Sequence, residues 1–206
     1  MKKIFSIFIL IVCCMSVFGA DIDHAKPYNE TLDKAGTVLQ LATMATGVVL
    51  LREKASEYPK IGTMYIETIG LTFAVKEALK HFIPRSRPYT YFDNAPVEDI
   101  ADWSKSFPSG HAAFAFAAAT FTSYVFCKYR PDSKAKLPVV IGSYALATAT
   151  ACLRVESGNH FVTDVLAGAL IGSAIGFAVP AIHHRFASKN IETQVSPFSF
   201  LIKLSF

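Results

Sequence analysis

Three short stretches of this chain concentrate residue types suited to phosphate chemistry: Lys80-x6-Arg87-Pro88, Pro108-Ser109-Gly110-His111 and Arg154-x5-His160-x3-Asp164. Together they supply three cations, two histidines and a carboxylate, the parts needed to hold a phosphate, attack it and protonate what leaves. Asp164 follows His160 by four residues, so if both sat on one helix they would share a face and the carboxylate could accept a ring N–H. Such a bond fixes the tautomer and leaves the lone pair of the other ring nitrogen free to attack phosphorus. Ser109 is placed to N-cap the run from Ala112 onward, which would turn the free N–H groups of Gly110 and His111 toward an anion. Pro84 disfavours a helical Ile83, so Lys80 is predicted in the last turn of a helix and Arg87 in the loop beyond it. From there both can reach one phosphate together with Arg154, whose fork suits two oxygens at once.

Each part also has an ordinary reading. A Lys or Arg at the end of an apolar segment is commonly an interfacial anchor. Pro-Ser-Gly is a common way into a helix, and His160 with Asp164 could be a local hydrogen-bonded pair. What favours chemistry is that six such residues arrive in one order at these spacings.

On these motifs the chain resembles the type 2 phosphatidic acid phosphatase (PAP2) family, over roughly residues 60 to 180. The resemblance implies a metal-independent phosphatase that works through a phosphohistidine intermediate, without a cofactor. It makes His160 the nucleophile, Asp164 the residue that orients it, and His111 the general acid that protonates the leaving oxygen and later activates water. Lys80, Arg87 and Arg154, with Ser109 and the backbone of Gly110, would cradle the phosphate. One position departs from the family pattern: Leu153 stands where a Ser usually precedes the Arg, which removes a hydroxyl from the phosphate's neighbourhood.

The elements that must position these residues are apolar. Of the 206 residues, 52% are hydrophobic, and the mean hydropathy is +0.36. Apolar segments fall at 4–19, 36–51, 61–79, 111–127, 137–153 and 162–182, most of them near the ~20 residues that span a bilayer. The expected fold is therefore an all-α transmembrane bundle of about six helices, or five if the first segment is a cleaved signal peptide. Gly168, Gly172 and Gly176 recur at four-residue spacing, a pattern that lets helices approach closely. The competing architecture is a compact soluble helical domain, since soluble acid phosphatases share these motifs.

If the segments alternate across a bilayer, one side collects Lys2, Lys3, Arg52, Lys54, Lys60, Lys128, Arg130, Lys134, Lys136, Arg185, Lys189 and Lys203. The positive-inside rule makes that side cytoplasmic and sets all three motifs on the opposite, periplasmic face of a bacterial inner membrane. Residues 1–20 read equally as a signal peptide cut after Gly19 or as a first transmembrane helix. Residues 21–189 form the expected phosphatase domain and 190–206 a tail. In the tail Phe198, Phe200, Ile202, Leu204 and Phe206 alternate with other residues, the period of a short strand or an extended segment.

Between the first two motifs, aromatic residues mix with acids from Tyr89 to Trp103, suiting a loop at the membrane surface that shapes access of a headgroup or simply forms an interfacial belt. Cys127 and Cys152 read as packing residues, and His183-His184 as a cytoplasmic helix end rather than a metal site. The expected partners are a lipid phosphate substrate and membrane lipids, with no nucleic acid and no obligate protein partner. Besides a membrane lipid phosphatase, the pattern leaves open a soluble periplasmic acid phosphatase and a non-catalytic phosphate-lipid binding protein. The binding protein accounts for the cations but not for a nucleophile, its carboxylate and a second histidine.

Overall fold

A computed structural model describes residues 23–187 and two short strands beyond them. The expectations for residues 1–20 lie outside the described residues. The helices are α1 Glu30–Ala45, α2 Tyr58–Phe82, α3 Gly110–Tyr129, α4 Lys136–Glu156 and α5 Val162–Ala187. The strands β1 Thr193–Ser196 and β2 Ser199–Ile202 pair antiparallel, which makes residues 199–202 of the alternating tail a strand.

The bundle is organised around α3, which packs on each of the other four helices. Its sequence explains this. From Ala112 to Ala119 it is apolar on every side, so no face prefers solvent, and a helix of that kind is driven to the centre. Ala112, Ala115, Phe116 and Ala119 form one core with Val140, Tyr144, Ala147 and Ala151 of α4 and Val165 and Ala169 of α5. Toward the other end, Phe121, Val125 and Phe126 pack with Ile61 and Met64 of α2 and Ile175 and Val179 of α5.

The glycine stripe sets the α3–α5 distance. A Cβ added at Gly168, Gly172 or Gly176 would overlap the carbonyl oxygens of Ser109, Ala113 and Ala117 respectively, so α5 runs against the bare backbone of α3. This contact begins at the site end, where the Ser109 amide donates to the Asp164 carbonyl at 3.0 Å.

The helices α3, α4 and α5 are long and apolar enough to cross a membrane. The 25-residue α2 also has the length, but it carries Lys60, Glu67, Lys76, Glu77 and Lys80. The apolar stretch 36–51 is not one continuous α-helix. It is divided between α1 and a 3-10 segment Thr46–Arg52, where the Thr46 hydroxyl donates to the Thr43 carbonyl at 2.7 Å and Gly47 faces Thr122 and Tyr65. At this end the α3–α4 turn is tied down by Arg130 donating to Glu53 at 2.5 Å and the Tyr129 hydroxyl donating to Glu57 at 3.1 Å. His183, read from sequence as part of a helix end, lies near the end of α5 and meets Glu67 of α2 at 2.6 Å.

Candidate active site

All three motifs meet at one end of the bundle. Lys80 occupies the last turn of α2, which closes at Ile83 just before Pro84, and Arg87 stands in the loop beyond it. A stretch of backbone further along the same loop, just before α3, holds both. Lys80 Nζ donates to the Lys105 carbonyl at 2.6 Å, and Arg87 Nε donates to the Asp102 carbonyl at 2.9 Å. The Arg87 amide donates to the Trp103 carbonyl at 2.8 Å, and Arg85 exchanges backbone bonds with Ser104 and Ser106, both 2.9 Å. Residues 102–106 therefore act as a rail on which the cations of the first motif are mounted. Trp103, singled out as a surface aromatic, is half-buried, and its indole N–H donates to the Pro96 carbonyl at 3.1 Å.

Ser109 is the N-cap of α3, accepting from the Ala112 amide at 3.4 Å, with Gly110 and His111 in the first turn. A Cβ at Gly110 would press on the side chain of Lys76, so the glycine lets a further lysine lie along the start of this helix.

His160 and Asp164 are both buried and face each other, but they do not share a helix. His160 lies in the loop joining α4 to α5, its amide donating to the Arg154 carbonyl at 3.1 Å, whereas Asp164 is in the first turn of α5. The separation from His160 Nδ1 to Asp164 Oδ2 is 3.9 Å, beyond hydrogen-bond reach, and Nδ1 has no hydrogen-bond partner among the described residues. The carboxylate is already held by other donors. Arg85 Nη1 reaches Oδ1 at 2.6 Å, while the Ser106 hydroxyl and the Phe161 amide reach Oδ2 at 2.6 and 2.9 Å. The relation between His160 and Asp164 is thus electrostatic across a short gap, and the three donors keep the carboxylate aimed there.

Arg154, at the end of α4, is almost fully buried and pairs with Asp33 of α1. Asp33 also accepts from Asn159 Nδ2 at 3.1 Å and from the Tyr28 hydroxyl at 3.0 Å. The side-chain oxygen Oδ1 of Asn159 in turn accepts from Arg87 Nη1 at 3.2 Å, so Asn159 links the two arginines immediately beside His160. Leu153 points at α1, where its Cβ lies against Gly36. His111 Nε2 meets the Thr37 hydroxyl of α1 at 3.1 Å.

Burial, reinforced by the positive charge of Arg87, Arg154 and Lys80 and by His111, holds His160 well below the ordinary histidine value. It is neutral at physiological pH, with a free lone pair in a cationic setting. The cations of the first and third motifs thus act on one point. Sequence reasoning missed Arg85, Ser106 and Asn159, which hold the motif residues, and Asp33 and Thr37 of α1. A signal existed for the last pair: an acid and a hydroxyl four residues apart share one face of a helix.

A model of the family described as the PAP2 superfamily matches residues 62–188, more than half of the chain. The chain belongs to the PAP2 superfamily. All three motifs fall inside the matched region, whereas Asp33 and Thr37 lie before it, so α1 joins the PAP2 site from outside the part that defines the family. Among PAP2 relatives, the chain is 35% identical to phosphatidylglycerophosphatase B of Bacillus subtilis over 119 residues, 57% of this chain and 56% of that protein. It is 32% identical to lipid A 4'-phosphatase of Helicobacter pylori over 160 residues, 75% of this chain and 72% of that one. The chain thus spans little more than half the length of the first relative and nearly three quarters of the second. The crystal structure of Aquifex aeolicus LpxE shares the fold, with a TM-score of 0.52 at 22% identity over 86% of this chain and 94% of that one.

Proposed function

We propose that this protein hydrolyses a lipid phosphate or lipid pyrophosphate, without metal, through a phosphohistidine formed on His160. The observation that carries the proposal is the buried His160, whose burial and whose neighbours Arg87, Arg154, Lys80 and His111 disfavour its protonated form. In the first step the Nε2 lone pair of His160 attacks phosphorus, the bond to the leaving oxygen breaks, and that oxygen takes a proton from His111. In the second, water attacks the phosphohistidine, gives its proton to His111, and the P–N bond returns its electron pair to His160. Lys80, Arg87 and Arg154, with Ser109 and the amide of Gly110, hold the phosphoryl oxygens while charge moves toward the leaving group. Asp164 stabilises the positive charge that His160 acquires in the intermediate.

The lipid reading is supported by the outward faces of the helices. Ile66 of α2, Ile141 of α4 and Leu170 of α5 are each more than half exposed, an arrangement suited to hydrocarbon rather than water. The basic α3–α4 turn lies at the end opposite the site. By the positive-inside rule this supports a site at the periplasmic face of a bacterial inner membrane. The names of the relatives favour a phosphorylated glycerolipid or lipid A. Phosphatidate and undecaprenyl pyrophosphate are further candidates, because the motifs bind phosphate and not the lipid.

The test is phosphate release from a panel of these lipids and one water-soluble ester, in EDTA, by detergent-purified wild type and His160→Ala. Release that survives EDTA, is lost in the variant and favours one lipid is the expected result. Cleavage of the soluble ester alone would point to a periplasmic acid phosphatase instead, and silence on every substrate to a binding protein.

A further inference from the structure

The helix α1 brings a hydroxyl to the second histidine of the site. Thr37 Oγ1 lies 3.2 Å from the Asp33 carbonyl oxygen, one turn back on α1, and 3.1 Å from Nε2 of His111. A hydroxyl has one proton to give. Only one assignment makes both contacts hydrogen bonds: the hydroxyl donates to the Asp33 carbonyl and accepts from Nε2–H of His111. The carbonyl that ends this relay belongs to the residue whose carboxylate pairs with Arg154, and Gly36 lies against the Arg154 stem, so α1 is held in register with the site.

We propose that Thr37 is a positioning residue for His111, pinning a proton on Nε2 and thereby making Nδ1 the atom that gives a proton to the leaving oxygen and recovers one from water. This rests on the reading of His111 as the general acid. With both nitrogens protonated, the ring donates from Nδ1 and relaxes to the neutral Nε2–H tautomer, which is the form Thr37 accepts from. Without the hydroxyl, the neutral ring is free to place its proton on either nitrogen, and Nε2–H loses its acceptor.

The leaving group separates this role from a packing role. From a diacylglycerol phosphate the leaving oxygen would be a basic alkoxide and needs the acid, whereas p-nitrophenyl phosphate releases a phenolate that needs no proton. kcat/KM reports events only through the first phosphoryl transfer, so it isolates that requirement. General acid catalysis is worth roughly 10²–10⁴-fold. Thr37→Val is therefore expected to lower kcat/KM for the lipid phosphate by about ten- to a hundredfold and for p-nitrophenyl phosphate by less than about threefold, with Thr37→Ser recovering most of the loss. Equal losses on both substrates, or no loss on either, would overturn the proposal. His111→Ala must give the same leaving-group pattern more strongly; if it does not, the general-acid reading itself fails, separately from the role of Thr37. Nitrogen NMR of wild-type protein labelled at histidine needs no variant to fold: a neutral His111 found as the Nδ1–H tautomer would also overturn the assignment, and the Nε2–H tautomer is expected.

Discussion

Replacing Asp164 by Asn removes one charge from the site while keeping its shape, and the geometry fixes what that should cost. Asp164 Oδ2 lies 3.9 Å from His160 Nδ1. While His160 is neutral, the carboxylate gains little from it. Once the phosphoryl group has transferred, the ring carries a positive charge. At that separation and an effective dielectric of 20, the attraction is about 4 kcal/mol for a full charge. Spreading the charge over ring and phosphoryl group brings this to about 2 kcal/mol at the low end. Asp164→Asn should therefore slow phosphohistidine formation by roughly 30- to 1,000-fold. The fold should tolerate the change better than the chemistry, because the amide oxygen still accepts from neighbouring donors and Arg85 keeps its 3.0 Å contact with Asp23. Ser106→Ala is the control: it deletes a 2.6 Å hydrogen bond to the same oxygen and leaves the charge in place. Single-turnover reactions with radiolabelled substrate, quenched in alkali to preserve phosphohistidine, give the rate directly. Asp164→Asn forming the intermediate within threefold of wild type would refute the electrostatic reasoning. A loss in Ser106→Ala as large as that in Asp164→Asn would show that aim, not charge, is what the carboxylate supplies.

His160 should make the protein acid-sensitive. Its folded value lies well below 6.5, so below pH 6.5 the unfolded chain binds a proton that the folded chain refuses, and stability falls as pH drops. The group's contribution is fully present above pH 6.5 and declines by up to about 1.4 kcal/mol per pH unit beneath it. Denaturation midpoints in detergent from pH 7.5 to pH 5 should show a slope that His160→Gln reduces. The rate against pH should be bell-shaped, with the acid limb far below pH 6.5 because attack needs only that His160 stay neutral, and a rate rising steadily into alkali would contradict the assigned roles. Gly172→Val should lower the unfolding free energy by about 1–3 kcal/mol through overpacking, since the added carbons meet the Ala113 backbone, and should lower activity by shifting α5 from Ser109. Gly70→Ala in α2 meets nothing within 4 Å and should instead stabilise by about 0.5–1 kcal/mol with activity unchanged.

What the sequence made legible was whatever has a local signature. The end of α2 after Lys80 follows from Pro84, and the start of α3 follows from Ser109 as its cap. The glycine stripe announced a close helix pair, although not which pair. The motif histidines, cations and carboxylate could be picked out because their spacing within each motif is short. Their supports were not. Arg85 sits between Lys80 and Arg87 and looks like spacer, yet in space it is the cation that grips Asp164. Asn159 adjoins His160 but acts by linking Arg87 to Asp33, a relation spanning most of the chain that no periodicity records. The expectation that His160 and Asp164 might share a helix face rested on spacing alone. In the structure the bonds from the Ser157 and Gly158 amides end α4, and His160 is left in the turn before α5. The 36–51 segment misled for a related reason: hydropathy reports burial from water, not whether an α-helix continues.

The rail at residues 102–106 grips Lys80 and Arg87 through main-chain carbonyls, and every amino acid carries one. Holding Lys80 and Arg87 through the carbonyls of Trp103 and Lys105 is thereby independent of which side chains stand at those two positions. Substitution there can change what the loop displays on its surface while its backbone keeps both cations where they are. The scaffold separates the identity of the loop from the placement it enforces.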